Sequence, residues 1–130
     1  MAETDKLVAC AVAAKARALA LYSNFRVGAA VETAAGEIFD GCNIESSSYG
    51  LSCCAERVAL YKALSAGKRQ FRRLVVAADT AEFCTPCGAC RQVLWDYARE
   101  VAVTLVNAVG ETRVISMKAL LPEAFDDRLL

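Results

Sequence analysis

Apolar residues recur at helical spacing in some stretches of the chain and alternate or run continuously in others, and the changes of spacing mark its elements. Leu7, Val8, Cys10, Ala11, Ala14 and Ala18 lie on or near one face of a helix, predicted to be capped by Thr4 and to run to about Leu21. The segment YSNF breaks that pattern. VGAAVET (Val27 to Thr33) and EIFDGCNIE (Glu37 to Glu45) read as two strands joined through Ala34-Ala35-Gly36, a hairpin. Ser46-Ser47-Ser48-Tyr49-Gly50 has loop composition. A helix is predicted over Ser52 to Gly67, with Val58, Ala59, Tyr61, Ala63 and Leu64 as its apolar positions and Gly67 as terminator.

Arg72 to Asp79 has an unbroken apolar centre, as expected of a central strand buried on both faces. AEFCTPC leads into a helix over Gly88 to Glu100. Strands over Val101 to Asn107 and Thr112 to Met117 flank a turn at Ala108-Val109-Gly110, and MKALLPEAF forms a short helix ended near Pro122. The order α-β-β-α-β-α-β-β-α predicts an α/β fold, a three-layer sandwich with a mixed five-stranded sheet between helices. A length of 130 residues fits one domain spanning 1–130.

Composition narrows the function classes. Fifteen basic residues balance fifteen acidic ones, so net charge gives no reason to expect a nucleic-acid or membrane-surface partner. Hydrophobic residues make up 56% of the chain, an excess that predicts apolar surface covered between subunits. The run LVACAVAA imitates a signal-peptide core. Glu3 and Asp5 precede it where positive charge is required, and Lys15 and Arg17 follow, so an amphipathic helix is the better reading. Seven cysteines without a signal sequence point to a reducing, cytoplasmic setting, with thiols available for metal or core.

Candidate chemistry lies in TPCGACRQVL (Thr85 to Leu94) and in Cys54-Ala55-Glu56. Each opens a predicted helix that follows a strand, so the two helix N-termini can converge at one sheet edge. The positive end of a helix lowers a thiol's pKa, and zinc needs thiolate. Cys54, Cys87 and Cys90 would supply three sulfur ligands and leave a fourth position for water, the mark of a catalytic zinc site. Three thiolates on a dication leave one negative charge. Arg57 or Arg91 could offset it by donating to sulfur from outside the ligand set. Glu56 is the candidate proton carrier, because a carboxylate beside activated water can accept and return a proton, and the chain has no histidine.

CAE with PCGAC matches the zinc-deaminase signature. FRVGAA, GCNIE, CAERVAL, PCGACRQVL and LLPEAF follow in an order and spacing that resemble the small homotetrameric cytidine deaminases of pyrimidine salvage, over about Tyr22 to Phe125. The resemblance implies one zinc ion per subunit, a cytidine or 2′-deoxycytidine substrate, and a homotetramer with shared active sites. It also implies that Phe25 packs on the nucleoside, that Asn43 and Glu45 hold the ribose, and that the Ala55 amide and Thr85 carbonyl meet the cytosine edge. By the same resemblance, Phe125 reaches a neighbouring subunit's site and Tyr49 lies at the subunit boundary. Cys10, Cys42 and Cys53 are then core thiols.

Other readings use the same cysteines. Cys84, Cys87 and Cys90 form the first part of a ferredoxin-like run, though its fourth cysteine is missing. Cys84 could instead close a structural zinc site, or Cys87 and Cys90 could form a redox dithiol. A polynucleotide deaminase would need a charged channel, and a blasticidin-type deaminase would lack the full GCNIE segment.

Overall fold

Leu74, Val76 and Ala78 on one face of the central strand, and Val75 and Ala77 on the other, enter two separate apolar clusters. That double burial is what the continuous apolar run predicts, and it sets the layers. The computed structural model describes residues 5–130. The strands are β1 (Val27–Thr33), β2 (Ile38–Cys42), β3 (Phe71–Ala78), β4 (Ala102–Val106) and β5 (Thr112–Ser116), in the sheet order β2-β1-β3-β4-β5. Only β3 and β4 run parallel; the other neighbours are antiparallel, so the sheet is mixed. The helices are α1 (Lys6–Lys15), α2 (Ala55–Ser65), α3 (Gly88–Ala98) and α4 (Met117–Leu120). Leu7 and Ala11 of α1 pack with Ala30, Val75, Ala77 and Val106 on one face. Residues of α2, α3 and α4 join the larger cluster on the other.

The first helix is shorter than its sequence pattern. Asp5 caps it, its carboxylate accepting from the Leu7 and Val8 amides at 3.0 and 3.3 Å; Thr4, the predicted cap, lies outside the described residues. The helix stops at Lys15 because the following chain pairs with other backbone. The Leu19 amide donates to the Asn43 carbonyl at 2.9 Å, and the Glu45 amide to the Leu19 carbonyl at 3.0 Å. Alanine's helix propensity over 16–20 gives way to that tertiary pairing. The same pairing draws residues 43–45 out of β2, which ends at Cys42 instead of the predicted Glu45.

Two glycines let helices lie close on the hairpin. A Cβ at Gly28 would stand 2.0 Å from the Ala11 carbonyl oxygen of α1, and one at Gly41 would stand 2.5 Å from the Ala59 amide nitrogen of α2. On β2 itself, Asp40 accepts from Lys62 of α2 at 2.7 Å and from Arg17 at 2.5 Å. These pairs join the segment after α1 to α2 across the sheet edge.

Gly28→Ala forces α1 away from β1 and lowers stability by about 1–3 kcal/mol or more, read as a reduced urea midpoint. The hydrogen bond from Lys62, then that from Arg17, holds the Asp40 carboxyl below its ordinary value of 3.8. A depressed carboxyl pKa stabilises fully above the unfolded value and loses that contribution as pH falls through the folded one. Thermal midpoints measured below about pH 4 should therefore fall less steeply in Asp40→Asn than in the parent.

Candidate functional site

The N-termini of α2 and α3 meet on one side of the sheet, and each begins with a cysteine in the N-cap position. Cys54 (φ −70°, ψ 153°) and Cys87 (φ −68°, ψ 168°) have extended backbone, and neither makes a side-chain capping bond. A serine or aspartate there would spend its oxygen on the helix's own amides. These thiols instead turn toward each other, with Cys54 Sγ 3.6 Å from Cys87 Sγ and Cys87 Sγ 3.5 Å from Cys90 Sγ. Cys90 sits one turn into α3 and is buried. The three sulfurs all lie within 4.8 Å of one another. Tetrahedral zinc with sulfur at about 2.3 Å requires sulfurs about 3.8 Å apart, so the set is already close to the spacing the ion needs.

The charges around the sulfurs suit a metal. Hydrogen bonding to Cys90, with further donation from Arg57, brings the Cys54 thiol down to about 5, although burial opposes it. Cys90 is pushed in the opposite direction, first by sharing a proton with Cys54 and then by burial. Arg57 donates from Nη2 to Cys54 Sγ at 3.6 Å. Arg91 does something else. Its guanidinium donates to the Pro86 carbonyl at 2.7 Å, the Leu120 carbonyl at 2.8 Å and the Thr85 hydroxyl at 3.0 Å. Among the described residues it donates to no sulfur; it fastens the loop that carries Cys87 to the end of α4.

Glu56 is 4% exposed. Burial is the main force raising its carboxyl to about 7. It lines a cavity of about 290 Å³ together with Phe25, Asn43, Glu45, Ala55, Thr85, Cys54 and Cys87. Five of the six positions expected to meet substrate therefore share one hollow with the acid and two of the sulfurs. Phe125 does not. It is 55% exposed and lines a separate surface depression beside Gln92, Asp96 and Tyr97.

Asn43 and Glu45 face the same side, as alternation along an extended chain requires, with Asn43 Nδ2 3.5 Å from Glu45 Oε2. Both also hold backbone. Asn43 accepts from the Val27 amide at 2.9 Å and donates to the Phe25 carbonyl at 2.8 Å. Glu45 accepts from the Tyr22 and Ser23 amides, each at 2.9 Å, and from the Ser23 hydroxyl. These bonds, the Ser23 hydroxyl's foremost, hold the carboxyl below its usual range, so Glu45 is an ionised acceptor. Ser23 is a site residue that the sequence did not disclose, because a lone serine in a loop carries no spacing signal.

Cys53 departs from expectation. It lies in an extended bridge, exchanging backbone hydrogen bonds with Ile44 at 2.9 and 3.0 Å. Its half-buried side chain lines the cavity instead of entering the core, and burial raises its thiol pKa. Cys10 and Cys42 are likewise half-buried. Cys84 lines the cavity, its thiol 3.7 Å from the Thr85 carbonyl oxygen and pushed by burial up to about 11. It is not one of the three clustered sulfurs among the described residues. The iron–sulfur reading and the closed four-cysteine reading both needed it there. The third sulfur comes from Cys54, 33 positions before Cys87.

Comparison with known proteins agrees with this geometry. The profile of the cytidine and deoxycytidylate deaminase zinc-binding region matches residues 1–106. The cytidine deaminase of Sporosarcina psychrophila is 44% identical over 124 residues, covering 95% of this chain and 91% of its own. That of Halalkalibacterium halodurans is 44% identical over 124 residues, covering 95% and 94%. The crystal structure of cytidine deaminase from Burkholderia pseudomallei superposes with a TM-score of 0.91 at 46% identity, covering 95% of this chain and all of that one. With a matching profile over most of its length and sulfurs placed for the ion, the chain belongs to the zinc-binding cytidine and deoxycytidylate deaminase family.

Proposed function

We propose that this protein hydrolyses cytidine, and 2′-deoxycytidine with it, to the corresponding uracil nucleoside and ammonia. The observation that carries the reading is a buried glutamate beside three converging sulfurs, two of which line a cavity of nucleoside size with it. Cys54, Cys87 and Cys90 would hold a zinc ion, which would supply the Lewis acidity that lets water act as a nucleophile at neutral pH.

The chain's own residues do the rest. Glu56, raised to about 7 by burial, is matched to moving protons near neutrality. It takes a proton from the attacking water and delivers it to N3 of the base. It then carries the remaining proton of the hydroxyl added at C4 to the exocyclic nitrogen; the C4–N bond breaks as the C4–O bond becomes a carbonyl, and ammonia leaves. Arg57 donates to Cys54 Sγ and draws off charge that would weaken the metal's acidity. The amide of Ala55, in the first turn of α2, has no intrahelical acceptor and is available to the base edge, as is the Thr85 carbonyl that Arg91 helps to place. Glu45 keeps acceptor capacity for a sugar hydroxyl. Asn43 steadies that carboxylate and Phe25, whose ring borders the nucleoside.

Phe25, Asn43 and Glu45 favour a nucleoside over free cytosine, because they extend the cavity beyond the reach of a bare base. Phe125 lies outside its own chain's cavity and is more than half exposed, so it serves the site of a neighbouring copy. The exposed aromatics Tyr22 and Tyr49, in edge contact at 5.8 Å, line an adjoining hollow that shares Ser23, Glu45 and Ser52 with the cavity, where a further copy would cover them. A homotetramer with shared sites accounts for both features; a cytoplasmic role in pyrimidine salvage is the setting we propose for it. Among the described residues, no helix is long and apolar enough to cross a membrane.

Metal-analysed protein is expected to release ammonia from cytidine and deoxycytidine, but not from free cytosine or single-stranded DNA. Glu56→Ala should remain folded and zinc-loaded with turnover lower by at least about 10²–10⁴. Near-parental uridine formation by that variant would remove Glu56 from the mechanism. Sedimentation equilibrium should give four times the chain mass, and a monomer would refute the shared site.

A further inference from the structure

Only two carboxylates are buried among the described residues. Glu56 faces the substrate cavity; Asp126, 1% exposed, lies far along the chain beside Phe125. Asp126 is enclosed by donors. It accepts from the indole Nε1–H of Trp95 at 3.1 Å, and from the Arg128 amide and guanidinium at 3.0 and 2.8 Å. Arg99 Nη1 stands 3.5 Å away, its guanidinium 5.1 Å from the Trp95 ring centroid. One residue earlier, the Phe125 carbonyl accepts from Gln92 Nε2 at 2.9 Å.

Gln92, Trp95 and Arg99 all belong to α3 or its C-cap, the helix whose first turn presents Cys87 and Cys90. One helix therefore carries two sulfurs of the metal cluster at its start and grips the C-terminal segment along its length. The grip is polar and directional. It fixes the carbonyl of Phe125 and the residue that follows it, and leaves the ring itself uncovered. A segment needed only to cover the core would bury its aromatic residue and expose its acid; this one does the reverse.

We propose that Asp126 is a positioning residue for substrate binding: latched to Trp95 and Arg128, it holds Phe125 at the angle from which the ring meets a nucleoside in a neighbouring copy. This rests on the reading of Phe125 as a substrate-contacting residue. The latch restricts the ring before substrate arrives, so the ordering cost is met in folding and not in binding. It contributes to affinity and leaves proton transfer at Glu56 untouched.

The test compares Phe125→Ala, Asp126→Ala, Asp126→Asn and the Phe125→Ala/Asp126→Ala double variant as zinc-loaded full-length proteins. Cytidine kinetics are measured beside the fluorescence of Trp95, the one tryptophan in the chain. Phe125→Ala is expected to raise KM between about threefold and tenfold, as loss of an aromatic contact would, with kcat little changed. Asp126→Ala should raise KM by a similar factor and alter Trp95 emission. The double variant should be no worse than Phe125→Ala alone, because the acid acts through the ring. Asp126→Asn keeps an acceptor for the indole and should fall between parent and Asp126→Ala, which also covers the case in which the alanine variant fails to fold. Parental KM in Phe125→Ala overturns the reading of Phe125, and the proposal with it. An impaired Phe125→Ala beside parental KM in the folded Asp126 variants, or additive losses in the double variant, overturns the role of Asp126 alone.

Discussion

The meeting of two helix N-termini is the constraint on which the site depends. Cys54 and Cys87 occupy N-cap positions without capping, so each thiol lies in the positive field of a helix end and remains available to a metal. The sheet makes this possible. α2 is seated on β2 at Gly41, where any side chain would strike the helix backbone. α3 lies in the crossover between the parallel strands β3 and β4. If either helix moved by the width of a methyl group, the sulfur spacing that matches tetrahedral zinc would be lost. The close seat of α2 on Gly41 is therefore one of the contacts on which holding an ion depends.

The acid proposed to carry protons follows from the same geometry. Glu56 lies two residues beyond a sulfur at the buried start of α2, and that burial lifts its carboxyl toward neutrality. In a chain without histidine, a carboxyl kept from water can titrate in the range where imidazole would. Arg57, one residue further, bonds Cys54 Sγ. A single helical turn thus supplies sulfur, acid and guanidinium.

Much of this was legible before the fold was known. The unbroken apolar run of β3 declared a strand buried on both faces, and the CAE and PCGAC spacings singled out three cysteines whose sulfurs the fold brings together. What local pattern could not show came from contacts distant in sequence. The alanine-rich stretch after Lys15 reads as helix, yet it is drawn into pairing with residues 43–45. Arg91 directly follows a clustered cysteine and local sequence offers it as a donor to sulfur beside Arg57, but three oxygens take up its guanidinium. Ser23 and Asp126 lie in irregular segments, where no periodicity announces a partner.

The sulfur spacing has another side. Cys87 and Cys90 stand 3.5 Å apart, sulfur to sulfur, and need only a short approach to reach the roughly 2.05 Å of a covalent bridge. With the ion bound, their electron pairs are engaged and that chemistry is blocked. Once the ion departs, an oxidant can weld the pair shut, and zinc added later would find one thiolate where it needs three. Dormant enzyme recovered from oxidising conditions would then require a reductant before metal, and the order of those two additions would decide whether activity returns.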